Sequence, residues 1–236
     1  MSNQPFVLIS GLNATTEVFA ELAQALWPLG PVTLANHVHG EGIAGIAAAI
    51  LATAPPRFAL LGFSMGGYIA FEIMRQAPER VSRLCLLDTT ARPDAPQTSA
   101  RRGERMALAQ AGRFEQTIEE GFALTVHPDH TGRGDLKAIT RRMALAMGPE
   151  TFVRHQQAII DRPDSRPMLA GIAVPTAVIT GDADQITPPE AAREMAEGIA
   201  GARLTLIARA GHMAILEQPD ATIAAILGWA RGPNGA

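Results

Sequence analysis

The stretch Leu60-Leu61-Gly62-Phe63-Ser64-Met65-Gly66-Gly67-Tyr68-Ile69-Ala70 changes its periodicity across a single serine. Ahead of it, Arg57-Phe58-Ala59-Leu60-Leu61 is an apolar run of strand length; behind it, Tyr68 to Arg75 carries apolar residues at helical spacing. Between them stands Gly-x-Ser-x-Gly. A strand passes into a helix this abruptly only if the turn residue takes strained backbone angles and its neighbours lack bulk. Gly62 and Gly66 remove the side chains that would collide, which leaves Ser64 exposed at the tip of the turn. The amides that follow, beginning with Met65, then point from a helix N-terminus toward negative charge formed above the serine. A glycine-rich turn whose serine only caps the helix uses the same letters. The strand–turn–helix context favours the nucleophile.

Outward from this turn, the 236 residues suffice for one sizeable core with a small insertion. Hydrophobic residues make up 47% and charged residues 18%, and the formal charge is −3. That balance gives no reason to expect nucleic acid or an anionic membrane as partner. Lys137 is the sole lysine beside nineteen arginines, a bias without mechanistic content. The single cysteine, Cys85, excludes an internal disulfide and a cysteine-pair zinc site. Within Leu84-Cys85-Leu86-Leu87 it reads as a buried, inert thiol. No run approaches the roughly 18 apolar residues of a membrane span, and no basic segment precedes the first apolar run. The expectation is a soluble, cytoplasmic protein.

In chain order, Phe6–Ile9 reads as a strand, Ser10-Gly11-Leu12-Asn13 as a turn, and Thr15 onward as a helix stopping at Trp27-Pro28. Val32–Leu34 is a second strand, Ile43–Leu51 an alanine-rich helix, and Val81–Leu87 a fourth strand after the serine's own. Thr176–Ile179 and Leu204–Ile207 supply two more, separated by a helix starting near Pro188-Pro189; a last helix spans Ala214–Trp229. Strands alternating with helices predict βαβ units and a parallel sheet covered on both faces. Residues 91–166 break the rhythm with helical periodicity and no strand. They hold 12 basic and 10 acidic residues (net +2), against 8 and 13 elsewhere (net −5). The expected division is a core of residues 1–90 and 167–236, with 91–166 as a helical lid over the strands' C-terminal ends, where open α/β sheets bind ligands. A peripheral hairpin that only protects the sheet is the alternative. The tail 231–236 reads as disordered.

Serine needs a base, and the base an orienting group. Of six histidines, His127 and His130 read as loop residues, and His155 as a surface or pocket-lining group. His37 and His39 lie at the same sheet edge as Ser64 and could line the pocket. His212 follows the last strand directly, in Ala210-Gly211-His212-Met213, where Gly211 permits a turn that returns the imidazole over the sheet. For the acid, Asp184 in Gly181-Asp182-Ala183-Asp184 is best placed to reach the next loop; Asp88 is the reserve and Asp182 a turn residue.

These features together resemble the α/β-hydrolase fold family: Gly62-Phe63-Ser64-Met65-Gly66-Gly67, then Gly181-Asp182-Ala183-Asp184 ahead of Pro188, then Gly211-His212 ahead of Glu217 and Pro219. The resemblance covers most of the chain outside the expected lid. It implies a Ser64–His212–Asp184 triad and an oxyanion hole from the amides of Met65 and Leu12. Many members carry His-Gly where this chain has Ser10-Gly11, but a backbone amide at Leu12 is retained. The antiparallel hairpin that usually precedes the first strand has no counterpart, so about six strands are expected instead of eight. The implied reaction is acyl transfer to Ser64 and hydrolysis of a small ester or thioester, with no metal or organic cofactor. Phe63, His37 and Arg142 are the candidate substrate-binding residues, and a small acyl compound is the expected partner. Arg101, Arg102, Arg105, Arg141, Arg142 and Arg154 also raise an alternative, carbon–carbon bond hydrolysis or lysis of an acidic substrate whose carboxylate they would bind. A non-catalytic binding protein is a third reading, opposed by the intact serine, aspartate and histidine.

Overall fold

Four of the apolar runs are buried over nearly their whole length on both faces, which is what a parallel sheet demands of its central strands. In the computed structural model, which describes residues 4–232, the strands are β1 (Phe6–Ile9), β2 (Val32–Leu34), β3 (Phe58–Phe63), β4 (Val81–Leu87), β5 (Thr176–Gly181) and β6 (Arg203–Ile207). All pair in parallel in the order β2-β1-β3-β4-β5-β6. The direction of winding reverses between β1 and β3, and β3 runs two residues past the expected end, to Phe63, immediately before the serine.

Helices α1 (Ala20–Leu26), α2 (Gly42–Thr53) and α3 (Met65–Gln76) follow the first strands; α4 (Pro96–Gln110), α5 (Phe114–Thr125) and α6 (Gly134–Ile160) lie between β4 and β5; α7 (Pro189–Gly198), α8 (Ala214–Glu217) and α9 (Pro219–Arg231) complete the chain. Strand side chains alternate faces. Val7, Ile9, Leu60, Leu84, Leu86 and Val178 pack with residues of α2, α3 and α7, including Ile46, Ile69 and Met195. Leu8, Leu61, Phe63, Cys85, Leu87 and Ile179 pack with α1 and α9, through Leu22, Leu26 and Ile226. Each fully buried Leu, Ile or Phe contributes roughly 1.5–3 kcal/mol relative to exposure, so the two apolar layers hold the sheet. Cys85 is buried in the second layer, and burial together with nearby Asp88 pushes its thiol up. It stays protonated and unreactive.

Backbone chemistry moved several expected boundaries. The first helix opens as a 3₁₀ turn, Thr16–Phe19, with the Thr15 hydroxyl accepting from the Glu17 amide. The expected helix over Ala214–Trp229 is broken at Gln218, whose φ of −134° and ψ of 62° are non-helical. Pro219 disfavours helical angles in the residue before it. Likewise α6 is two helices joined at Gly148, where φ is 77° and ψ 164° ahead of Pro149; only glycine takes that conformation without strain. Arg231 and Gly232, expected to be disordered, are the end of α9 and its cap; the rest of that tail, 233–236, lies outside the described residues. No helix among the described residues is long and apolar enough to cross a membrane.

The glycines of the turn are required by close approach. A Cβ on Gly66 would lie 2.1 Å from the Ile9 carbonyl oxygen, and one on Gly62 2.3 Å from that of Gly66. Gly66→Ala should therefore force β1 and α3 apart and cost about 1–3 kcal/mol or more, lowering Tm by several degrees. Gly103→Ala, on an α4 face with nothing within 4 Å, should instead leave Tm unchanged or raise it slightly. Thermal denaturation of the two variants checks both.

Candidate active site

Ser64 has φ 54° and ψ −117°, outside the regions that L-residues favour. Its strain is held from both sides: the Ser64 amide donates to Leu87 O at 2.9 Å, and its carbonyl accepts from the Gly67 amide and the Thr89 hydroxyl at 2.9 and 2.8 Å. Thr89 gave no signal in the sequence, since its role depends on β4 lying beside β3. Met65 opens α3, so its N–H has no carbonyl one turn back to bond. Gly11 comes so near the turn that a Cβ there would be 2.9 Å from Ser64 Cβ.

The Ser64 Oγ lies 2.8 Å from His212 Nε2, and His212 Nδ1 lies 2.8 Å from Asp184 Oδ2. A carboxylate only accepts, so Nδ1 carries the proton and Nε2 is free to receive that of the serine. Asp184 is buried and satisfied: Oδ1 accepts from the Ile186 and Thr187 amides, and Oδ2 also accepts from the Thr187 hydroxyl. Burial alone would push its pKa up, but the His212 charge and hydrogen bond, with those from Thr187, outweigh it and hold the carboxyl below its usual value. Phe63, fully buried, sets its ring 5.7 Å from that of His212 and 6.5 Å from that of Phe19.

The histidine loop is fixed by a residue whose part was not read from the sequence. Glu217 Oε1 accepts from the Gly211 amide at 2.7 Å, and Oε2 from the His127 amide at 2.6 Å and His130 Nδ1 at 2.7 Å. His130 is therefore a buried tie between the inserted helices and the loop before His212, not a free loop residue. Gly211 is needed chiefly because chain crosses it: a Cβ there would meet the Val126 backbone at 2.4 Å. Sequence could not reveal that crossing.

Asp88 is fully buried one strand away. Its Oδ1 accepts from the Gly181 amide at 2.9 Å, and Oδ2 has no partner among the described residues. Burial first, and the charge of Asp184 second, push its carboxyl well above the usual range despite the Gly181 amide. Asp182 accepts from the Ala210 amide at 3.3 Å, which ties its turn to the loop between β6 and His212. Asp184 is therefore the carboxylate brought to His212, while Asp88 turns to the Gly181 amide.

The other named candidates sit differently. His37 is buried; its Nε2 is 3.1 Å from Gly11 O, and its ring stacks on that of His155 at 5.0 Å. His155 is likewise buried, not at the surface. Arg142 is 59% exposed and forms an ion pair with Glu17, so a substrate carboxylate reaching it would have to displace Glu17. Arg102 binds Asp94 and Gln156, Arg105 the Thr117 carbonyl, Arg141 Glu115, and Arg154 the Val38 carbonyl. Among the described residues, no group of three or more His, Cys, Asp or Glu side chains is arranged to hold a metal ion.

A model of the alpha/beta hydrolase fold family matches residues 44–219. A pimeloyl-[acyl-carrier protein] methyl ester esterase of Neisseria meningitidis is 28% identical over 230 residues, covering 91% of this chain and 88% of that protein. The structure of a thermophilic esterase from Thermogutta terrifontis aligns with a TM-score of 0.87 at 26% identity, covering 97% of this chain and 89% of the other. An enol-lactonase from Burkholderia xenovorans aligns with a TM-score of 0.83 at 24% identity, over 97% and 92% of the two chains, which speaks for the fold alone.

Proposed function

Since the chain belongs to the alpha/beta hydrolase fold family, we propose that it is a serine hydrolase that cleaves a small carboxylic ester or thioester through an acyl-enzyme. The observation that carries this reading is the continuous line from Ser64 through His212 to Asp184, with both links at 2.8 Å. Ser64 attacks the acyl carbon as His212 Nε2 takes its proton. Asp184 holds the imidazole in the Nδ1–H tautomer and stabilises the imidazolium. The amides of Met65 and Leu12 receive the oxyanion. His212 then protonates the leaving alcohol or thiol. Water activated by the same imidazole attacks the acyl carbon in turn, and the carboxylic acid leaves as Ser64 recovers its proton. The relatives that are esterases by name support an ester substrate. The carboxylate-binding alternative loses its motive, because five of the six arginines that suggested it are engaged by groups of the protein itself. A series of p-nitrophenyl acyl esters and matched thioesters, run beside fluorophosphonate labelling, tests the reading. Turnover with labelling at Ser64 is expected; absence of both would sink it.

Residues 91–166 act in this reading as the lid that selects the acyl chain, over the core of residues 1–90 and 167–236. Leu12 packs against an apolar cluster of Ala109, Phe114, Ala144 and Phe152 in that segment, which supplies acyl-sized surface beside the oxyanion amide. The segment's ends meet, since the Ser165 amide donates to Ala91 O at 2.8 Å, so a short linker can replace it. Such a variant should shift the preferred acyl length while still reacting with a small fluorophosphonate. An unchanged ester profile in a folded deletion would make the segment scaffold.

A further inference from the structure

Two stacked, buried histidines connect the inserted helices to the turn after β1. We propose that His37 is a positioning residue: its ring holds the Gly11 carbonyl so that the Leu12 amide of the same peptide faces the oxyanion, and His155 holds His37 in place. The inference rests on the hydrolase reading above and deepens it.

A carbonyl oxygen only accepts, so His37 Nε2 carries a proton and donates it to Gly11 O at 3.1 Å. That oxygen also accepts from the Ala14 amide at 3.2 Å, so the Gly11 carbonyl is fixed in direction by two donors. In a planar trans peptide the carbonyl and the following N–H point opposite ways. Fixing Gly11 O therefore fixes Leu12 N–H, and Gly11 itself lies against Ser64, as its Cβ clash shows. The turn needs such support. Asn13 adopts a left-handed φ of 59°, and its side-chain oxygen is buried without a partner among the described residues.

His37 is secured in turn by α6. His155 Nε2 donates to the His37 carbonyl at 3.0 Å, Arg154 donates to the Val38 carbonyl at 3.2 Å, and the two imidazoles stack. Burial lowers both rings to about 4, so both are neutral near neutral pH. Neutral rings can stack at 5.0 Å without repulsion. The Ser10 hydroxyl, donating to Ala14 O at 3.0 Å and lying 3.4 Å from His37 Nδ1, ties the turn to the same ring.

The test compares His37→Phe, which keeps the ring and loses the donor, with His37→Gln, whose amide can still donate. A misdirected oxyanion donor weakens only the transition state, so kcat should fall while KM stays nearly constant. Loss of a whole donor costs on the order of a hundredfold or more; His37→Phe is expected to lose about tenfold to a hundredfold in kcat. Its affinity for an alkyl boronic acid, whose boron accepts Ser64 Oγ to give a tetrahedral adduct, should fall by a similar factor. His37→Gln should recover much of both, and His155→Phe should show the same pattern more weakly. A folded His37→Phe with kcat within twofold of wild type overturns the inference, as does a fall in Tm with kcat and boronate affinity retained. Should wild type neither hydrolyse esters nor bind the boronate, the hydrolase reading fails. The positioning claim is then decided by the Leu12 amide resonance in ¹⁵N spectra of the full chain. It should be shifted or exchange-broadened in His37→Phe and restored in His37→Gln; an unchanged resonance refutes it. The same spectra decide the case for any variant too unstable for kinetics, through His155→Phe.

Discussion

Ser64→Ala is expected to lower ester turnover by roughly four to six orders of magnitude and to abolish fluorophosphonate labelling. The hydroxyl 2.8 Å from His212 Nε2 is the atom that becomes covalently acylated in this reading, and alanine offers nothing in its place. Folding should survive. The turn is held by the Ser64 backbone, through Leu87 O, the Gly67 amide and the Thr89 hydroxyl, not by the side chain. Unchanged far-UV circular dichroism and a Tm within a few degrees of wild type are therefore expected alongside dead kinetics. Residual labelling at stoichiometric level would mean that another residue is the nucleophile.

Asp184→Asn should lower kcat by about ten-thousandfold, because an amide can present a donor to Nδ1 and so reverse the imidazole tautomer. Asp88→Asn should change kcat far less, since Asp88 bonds the Gly181 amide and not His212. Paired kinetics decide between them, and the opposite ranking would move the acid's role to Asp88. Stability provides a second contrast with a fixed sign. Asp184 has a folded value below its unfolded one, so its contribution is present above the unfolded value, near 4, and lost as pH falls through the folded value. Asp88 has a folded value well above its unfolded one. Its unfolded form releases a proton that the folded form keeps, so it costs stability progressively as pH rises from about 4 toward the folded value. Urea unfolding across that range should show Asp88→Asn gaining on wild type as pH rises, whereas Asp184→Asn should show no such gain.

The six strands, their approximate bounds and the strand–serine–helix turn were readable from the chain because each depends on local pattern. Strand runs such as Leu84-Cys85-Leu86-Leu87 are apolar on both faces only where a sheet is covered on both faces, and the glycines flanking Ser64 have few other uses. The chemistry of the line from Ser64 to Asp184 was legible in kind, since a serine at such a turn needs a base and an acid at neighbouring strand ends. Between Asp184 and Asp88, however, position along the chain offered only a preference. Both end strands at the same edge of the sheet, and what separates them is that Asp184 lies 2.8 Å from His212 while Asp88 turns to the Gly181 amide. The arginines of residues 91–166 show the same limit: a guanidinium's acceptor, such as Asp94 for Arg102 or Glu17 for Arg142, is seen only once the fold brings it close.

By itself, then, the sequence determined which segments become strands and helices and which residue sits strained at the turn, because those depend on side-chain periodicity and on steric rules within a few residues. Tertiary structure alone decided the parts of His37, His130, His155 and Glu217. Their partners lie 26 residues away for His37 and Gly11, 87 for His130 and Glu217, and 118 for His155 and His37. A hydrogen bond is specified by a distance of about 3 Å and a direction, and neither exists until the packed sheet and the inserted helices bring the two ends together.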